Sequence, residues 1–144
     1  MKIAIGGDHS AYRIKEEMKA RLVALGHEVE DVGTHSEESV DYPDFAEQVA
    51  RAVAGGRADR GVLMCGTGIG MSIAANKISG VRAALVTDEF TGEMSRRHND
   101  ANVFCAGVRV LPPTKIGELL EAWLKTPFEG GRHERRVEKI RKLE

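Results

Sequence analysis

Apolar and polar positions along the 144-residue chain change period in a regular way. Ile3-Ala4-Ile5 is a short apolar run that ends at Gly6-Gly7-Asp8-His9-Ser10, the pattern of a buried strand meeting a turn. Ile14, Met18, Leu22 and Leu25 then recur at helical spacing, and Gly26 closes that helix. Glu28-Val29-Glu30-Asp31-Val32 alternates, as a strand near a sheet edge does. A polar loop from His35 to Asp41 leads to Pro43, placed in the first turn of a helix that carries Phe45, Val49 and Val53 and ends near Gly55-Gly56. Val62-Leu63-Met64 is unbroken and apolar, which predicts a parallel strand buried on both faces. Beyond it Ile69, Ile73 and Ala74 form the apolar stripe of a short helix. Arg82 to Val86 predicts a fourth strand, Glu89 to Arg97 a helix, and Val103 to Ala106 a fifth strand. Ile116, Leu119, Leu120 and Trp123 share one helical face, and Val137 and Ile140 mark a last, basic helix. Strands alternating with helices predict a doubly wound α/β fold with a parallel five-stranded sheet and right-handed crossovers. With no internal repeat or linker, residues 1–144 are expected to form a single domain.

Composition narrows the function classes. The length allows one core and is short for two domains. A net charge of −1 argues against a general nucleic-acid surface. No run approaches membrane-spanning length, and the N-terminus enters a strand at once with no signal-length apolar segment. The two cysteines, Cys65 and Cys105, fall at or near the ends of separate strands and form no disulfide framework. A cytoplasmic protein is expected.

The chemistry concentrates at Gly61-Val62-Leu63-Met64-Cys65-Gly66-Thr67-Gly68-Ile69-Gly70, continuing into Met71 to Lys77. The apolar strand stops at a thiol. Three glycines in five residues (66, 68 and 70) then exclude regular structure and let backbone approach a ligand closely. Unpaired amides of the turn and the first helical turn carry partial positive charge. Anionic oxygens are favoured there, and the same field favours a thiolate. The stretch is not a P-loop, because Gly66 is followed five places later by Met71 and Lys77 comes too late. The dinucleotide fingerprint also fails at Met71, although Asp88 keeps a nucleotide reading open. A Cys-x5-Arg phosphatase needs arginine where this chain has Met71. Against all of these stands a plain buried core thiol.

In an open parallel sheet, ligands bind beyond the carboxyl ends of the strands. Asp8 and His9 arrive there from the first strand, Cys65 and Thr67 from the third, Thr87 and Asp88 from the fourth. Asp8 equally fits a helix cap. His98-Asn99 precedes the fifth strand and falls at the opposite edge of its own sheet, so a catalytic His98 either overhangs or acts in another subunit. Its place at a helix C-terminus is favourable without any function. No Cys/His cluster has the spacing of a zinc site. In the basic tail, Arg132 and Arg136 are four apart and share a face, where two guanidinium groups suit one phosphate. A solvated amphipathic helix is the simpler account.

Gly7-Asp8-His9, Val40-Asp41-Tyr42-Pro43, Cys65-Gly66-Thr67-Gly68-Ile69-Gly70, Ala74-Ala75-Asn76-Lys77, Arg97-His98-Asn99 and Glu129-Gly130-Gly131-Arg132-His133 together resemble the ribose-5-phosphate isomerase B family, in the same order over nearly the whole chain. That family includes isomerases of galactose and allose 6-phosphates. The resemblance implies a Rossmann-like subunit, a homodimer that sometimes pairs into a tetramer, and no metal or organic cofactor. It implies an aldose–ketose isomerase in which Cys65 moves a proton between C1 and C2, assisted by Thr67. The amides from Gly66 through Gly68 to Gly70 would stabilise the enediolate. Asp8 would contact sugar hydroxyls, His98 would promote ring opening, Tyr42 would line the site and Asn99 would contact substrate. His9, Arg109, Arg132 and Arg136 match phosphate-binding positions. One branch of the family has a glutamate base at the position of Met71, so here the role falls to Cys65. In the family's dimer His98, Asn99 and Arg109 enter the partner subunit's site, which resolves the placement of His98.

Overall fold

The computed structural model describes residues 1–144. Five strands form one parallel sheet: β1 (Lys2–Gly7), β2 (Glu28–Gly33), β3 (Arg60–Cys65), β4 (Ala83–Leu85) and β5 (Val103–Gly107), in the spatial order β2-β1-β3-β5-β4. Six α-helices flank it: α1 (Tyr12–Ala24), α2 (Tyr42–Ala54), α3 (Ile69–Ala75), α4 (Glu89–Arg97), α5 (Pro113–Lys125) and α6 (Arg132–Arg141). The alternating strand is at the edge, as its polarity requires, and the unbroken apolar run lies at the centre.

Side chains alternate across a strand, so each central strand feeds two cores. Ile3, Ile5, Val62, Met64, Phe104 and Ala106 face Met18 and Leu22 of α1 and Ile116, Leu120 and Trp123 of α5. Ala4, Leu63, Cys65, Val103 and Cys105 face Val49 and Ala50 of α2 and Met71 and Ala75 of α3. Trp123 meets Phe104 edge-on at 5.7 Å, and its indole N–H donates to Ser95 Oγ at 3.0 Å. No helix is long and apolar enough to cross a membrane.

Not every apolar residue of these stripes is buried. Leu25 and Ile140 are exposed ends of their stripes. More consequentially, α3 turns Met71 and Ala75 inward, while Ile69 and Ile73 are 50% and 57% exposed. The helix has only seven residues and apolar groups on two faces, so spacing alone did not say which face the sheet would cover.

Among the buried charged residues, Lys15 alone is wholly inaccessible. Its ammonium bonds both oxygens of Asp31 at 2.7 and 2.8 Å and Glu16 at 2.7 Å. Burial by itself raises the Asp31 pKa, but hydrogen bonds from Lys15, the Gly33 N–H and Lys19 outweigh it and hold the carboxyl below its ordinary range. Asp31→Ala leaves a buried ammonium with only the half-buried Glu16 and is expected to destabilise the fold by roughly 3 kcal/mol. A depressed carboxylate contributes stability above its unfolded-state pKa and loses it as pH falls through the folded-state value. Denaturant unfolding should therefore separate wild type from Asp31→Ala widely at neutral pH and narrowly in acid. An unchanged gap would exclude the ion pair as its cause.

Candidate active site

The glycine turn is held from beneath and from the side. β3 and β5 pair with Cys65 opposite Gly107, and the turn that follows β5 is bonded to the glycine turn. Val108 N–H donates to the Cys65 carbonyl and Arg109 N–H to the Gly66 carbonyl, both at 2.9 Å. Gly68 takes a left-handed φ of 78° as it enters α3. A Cβ on Gly107 would lie 2.5 Å from the Thr67 carbonyl carbon and oxygen. Only a residue without a side chain lets the turn cross there. Gly107 carries no turn pattern of its own and was not anticipated.

Cys65 is 5% exposed at the end of β3, and its sulfur accepts the Gly68 N–H at 3.2 Å. The Thr67 hydroxyl accepts the Ile69 N–H at 3.2 Å. At the start of α3, the Gly70 and Met71 amides precede the first possible intrahelical acceptors. An open cleft of about 430 Å³ is lined by Asp8, Tyr42, Cys65, Gly66, Thr67, Ile69, Gly70 and Ile73. The Tyr42 ring lies over Gly70, with Cζ 2.5 Å from where a Cβ would be. Asp8 does cap the 3₁₀ turn His9–Ala11, accepting from Ser10 N–H at 3.1 Å and its hydroxyl at 2.6 Å. Capping and facing the cleft are thus not alternatives. His9 Nδ1 accepts the Val40 N–H at 3.1 Å, which leaves Nε2 to carry the proton of the neutral ring.

Cys105 lies two residues inside its strand, opposite Leu63. Burial, and then the nearby Cys65, push its thiol far above the usual range. It is core, and Cys65 alone of the two reaches the cleft.

A second group forms elsewhere. α4 runs back to the amino edge of the sheet and ends at His98. Gly61 pairs with Val103 at that edge and Cys65 with Gly107 at the other, four residues or roughly 13 Å away. The loop after α5 is tied to this helix end by the Glu129 N–H, which donates to the Arg97 carbonyl at 3.0 Å. Gly130 and Gly131, both at positive φ, then swing α6 back so that His133 stacks on His98 at 4.1 Å and 10°. Burial first, and then the charge of His98, lower the His133 pKa. Donor atoms of His98, Glu129 and His133 lie within 4.8 Å of one another, but parallel stacked rings do not aim in-plane lone pairs at one ion. The stack joins residues 35 positions apart, and nothing in their spacing announced it.

The anticipated residues therefore fall into two sets. Asp8, Tyr42, Cys65, Gly66, Thr67 and Gly70 line the cleft, with Gly68 in the same turn and His9 next to Asp8 in the chain. His98, Asn99, Arg132 and Arg136 lie with the other end of α4 and with α6, where Arg132 and Arg136 are exposed and make no ion pair within the chain. Arg109 departs from the expectation that grouped it with His98. Its side chain passes beside its own Gly66, with Cδ 3.5 Å from a Cβ placed there. The Cys65–Gly107 register is the reason, since two residues beyond Gly107 the chain runs alongside the turn.

A thiol at a strand end, a glycine turn bonded to the next strand and a histidine stranded on the far edge make a specific combination. The sequence model described as Ribose/Galactose Isomerase matches residues 3–140. The chain belongs to that family. It is 50% identical over 143 residues to ribose-5-phosphate isomerase B of Escherichia coli (strain K12), spanning 99% of this chain and 96% of that protein. It superposes on ribose-5-phosphate isomerase B of Clostridium thermocellum with a TM-score of 0.98 at 51% identity, over 99% and 97% of the two chains. On the Mycoplasma genitalium protein of that name, solved with bound ribulose-5-phosphate, the TM-score is 0.95 at 40% identity, over 99% and 95%.

Proposed function

We propose that this chain is an aldose–ketose isomerase that interconverts D-ribose 5-phosphate and D-ribulose 5-phosphate. The observation that carries the reading is Cys65, lining a cleft together with the glycine turn that follows it. Proton transfer between C1 and C2 needs a base and donors aimed at the developing enediolate oxygen. In this reading the Cys65 thiolate takes the proton, the turn amides receive the oxyanion, and Thr67 assists. Asp8 and Tyr42 hold the sugar. His9 and the guanidinium groups of Arg109, Arg132 and Arg136 receive the phosphate, and Asn99 contacts substrate. His98 opens the furanose ring.

The working unit in this reading is a homodimer. A single subunit keeps His98 at the edge of the sheet away from Cys65, and a second copy brings it to the cleft. Ile69, Ile73 and Tyr42, apolar and exposed at the rim, supply a surface for that copy. Mixing Cys65→Ala chains with His98→Ala chains should then restore activity, because each mixed dimer keeps one site with both groups. No recovery, with mixed dimers shown to form, would place both groups in one subunit's site.

The family description also names galactose, so a six-carbon sugar phosphate is the competing substrate. Initial rates over ribose, allose and galactose phosphates should give the highest kcat/KM for ribose 5-phosphate. A higher value for a hexose phosphate would reassign the substrate, and no turnover of any would leave a phosphosugar-binding protein.

A further inference from the structure

The turn that carries His98 and Asn99 is built with more than a helix end needs. Asp100 has φ 45°, and it is the one residue other than glycine at positive φ in the chain. Glycine is the usual choice where a helix ends on such a residue, and an aspartate held there is worth explaining. Two arginines hold it. Arg82 Nε donates to the carbonyls of Asn99 at 3.0 Å and Asp100 at 3.1 Å. Its Nη2 donates to the Asp100 carbonyl at 2.9 Å and to Oδ2 at 3.3 Å. Arg96, 3% exposed, donates from Nη1 to Asp100 Oδ1 at 2.9 Å and to the Ala101 carbonyl at 2.6 Å, and from Nε to the Thr126 carbonyl at 3.2 Å.

Neither arginine is free to drift. The Arg82 amide donates to Asn102 Oδ1 at 2.8 Å, and the Arg96 guanidinium lies 5.5 Å from the centre of the Trp123 ring. Three consecutive carbonyls, those of Asn99, Asp100 and Ala101, are thus fixed by two planar forks, and the aspartate joins the forks to each other. His98 precedes this knot directly. Its ring is held on the other side by His133. The result is a histidine at a helix end whose direction is set from both sides, although its own sheet offers it no partner.

We propose that Arg82, Arg96 and Asp100 are positioning residues for the reaction, holding His98 and Asn99 in the orientation that ring opening requires. The inference rests on the isomerase reading above. It goes beyond it in assigning a catalytic consequence to three residues that touch no substrate.

Ring opening can be separated from proton transfer by choice of substrate. Ribose 5-phosphate is held as a furanose and must open. Ribulose 5-phosphate has its C5 oxygen esterified, forms no furanose, and can lose a C1 proton directly to the base. Two rates are therefore measured on each protein: conversion of ribose 5-phosphate, and exchange of the ribulose 5-phosphate C1 proton with solvent deuterium. The proteins are wild type, His98→Ala, Arg82→Lys, which keeps charge but loses the fork, and Asp100→Asn, which tolerates the left-handed backbone but weakens both forks.

Arg82→Lys is expected to lose at least about tenfold in kcat for ribose 5-phosphate, by the sensitivity of rate to misplacement, with KM and deuterium exchange held within about twofold. That is the expected behaviour of His98→Ala in milder form. Equal loss of both rates would mean a general structural role and would overturn the proposal, and so would no loss of either. If Arg82→Lys does not fold, Asp100→Asn is judged by the same two rates. Failure of wild type itself to convert ribose 5-phosphate would overturn the isomerase reading instead.

Discussion

Cys65→Ala is expected to lower kcat by about 10²- to 10⁴-fold, the usual worth of a positioned general base, while KM changes little. A base acts in the transition state and contributes little to ground-state binding, so the loss belongs in kcat. The substitution is gentle on the fold. The sulfur makes one hydrogen bond, from Gly68 N–H at 3.2 Å, and sits beside open space. Alkylation provides an independent measurement. A thiol reagent should modify Cys65 with loss of activity, ribose 5-phosphate should slow that modification, and the deeply buried Cys105 should stay unmodified in the folded protein. Near-native turnover by Cys65→Ala would sink the assignment of the base.

Gly107→Ala should be almost as damaging, although residue 107 touches no substrate in the proposed site. The added carbon would meet Thr67 carbonyl carbon and oxygen at 2.5 Å and Cα at 2.7 Å. Those are backbone atoms, so no side chain can swing clear. The turn must lift away from β5 and the amides move with it. A displacement of about 1 Å costs on the order of 10²-fold in rate, and the strain should lower stability by about 1–3 kcal/mol. Activity and thermal unfolding of Gly107→Ala test both. Wild-type rates would mean that the turn tolerates displacement.

The difference between these two residues shows what a sequence can reveal. The place of Cys65 at a strand end beside the cleft was legible because its signal is local: an apolar run ends on it and three glycines follow. The strands and helices were legible for the same reason, since burial on two faces or one imposes a period on neighbouring residues. Gly107 was not, because its need for a missing side chain comes from a loop 40 positions earlier. Lys15 was passed over because its partner Asp31 lies on the next strand. The outward turn of Ile69 and Ile73 depended on which of two apolar faces α3 would pack. The partnership of His98 with His133 depended on two glycines that return α6 to the end of α4. In each case the deciding contact is tertiary.

The two hydrogen bonds from Val108 and Arg109 to Cys65 and Gly66 tie the turn after β5 to what would otherwise be a free surface loop. Glycine-rich loops are commonly the mobile parts of enzymes, closing over substrate and opening to release product. This one is fastened at Cys65 and Gly66, which in the proposed reading supply the base and the first of the oxyanion amides. Its dipoles are already oriented when the chain has folded, so little reorientation energy accompanies each turnover. Any gating of substrate must then come from the other elements around the cleft, and the amide protons of Val108 and Arg109 should exchange with solvent more slowly than those of unbonded loop residues.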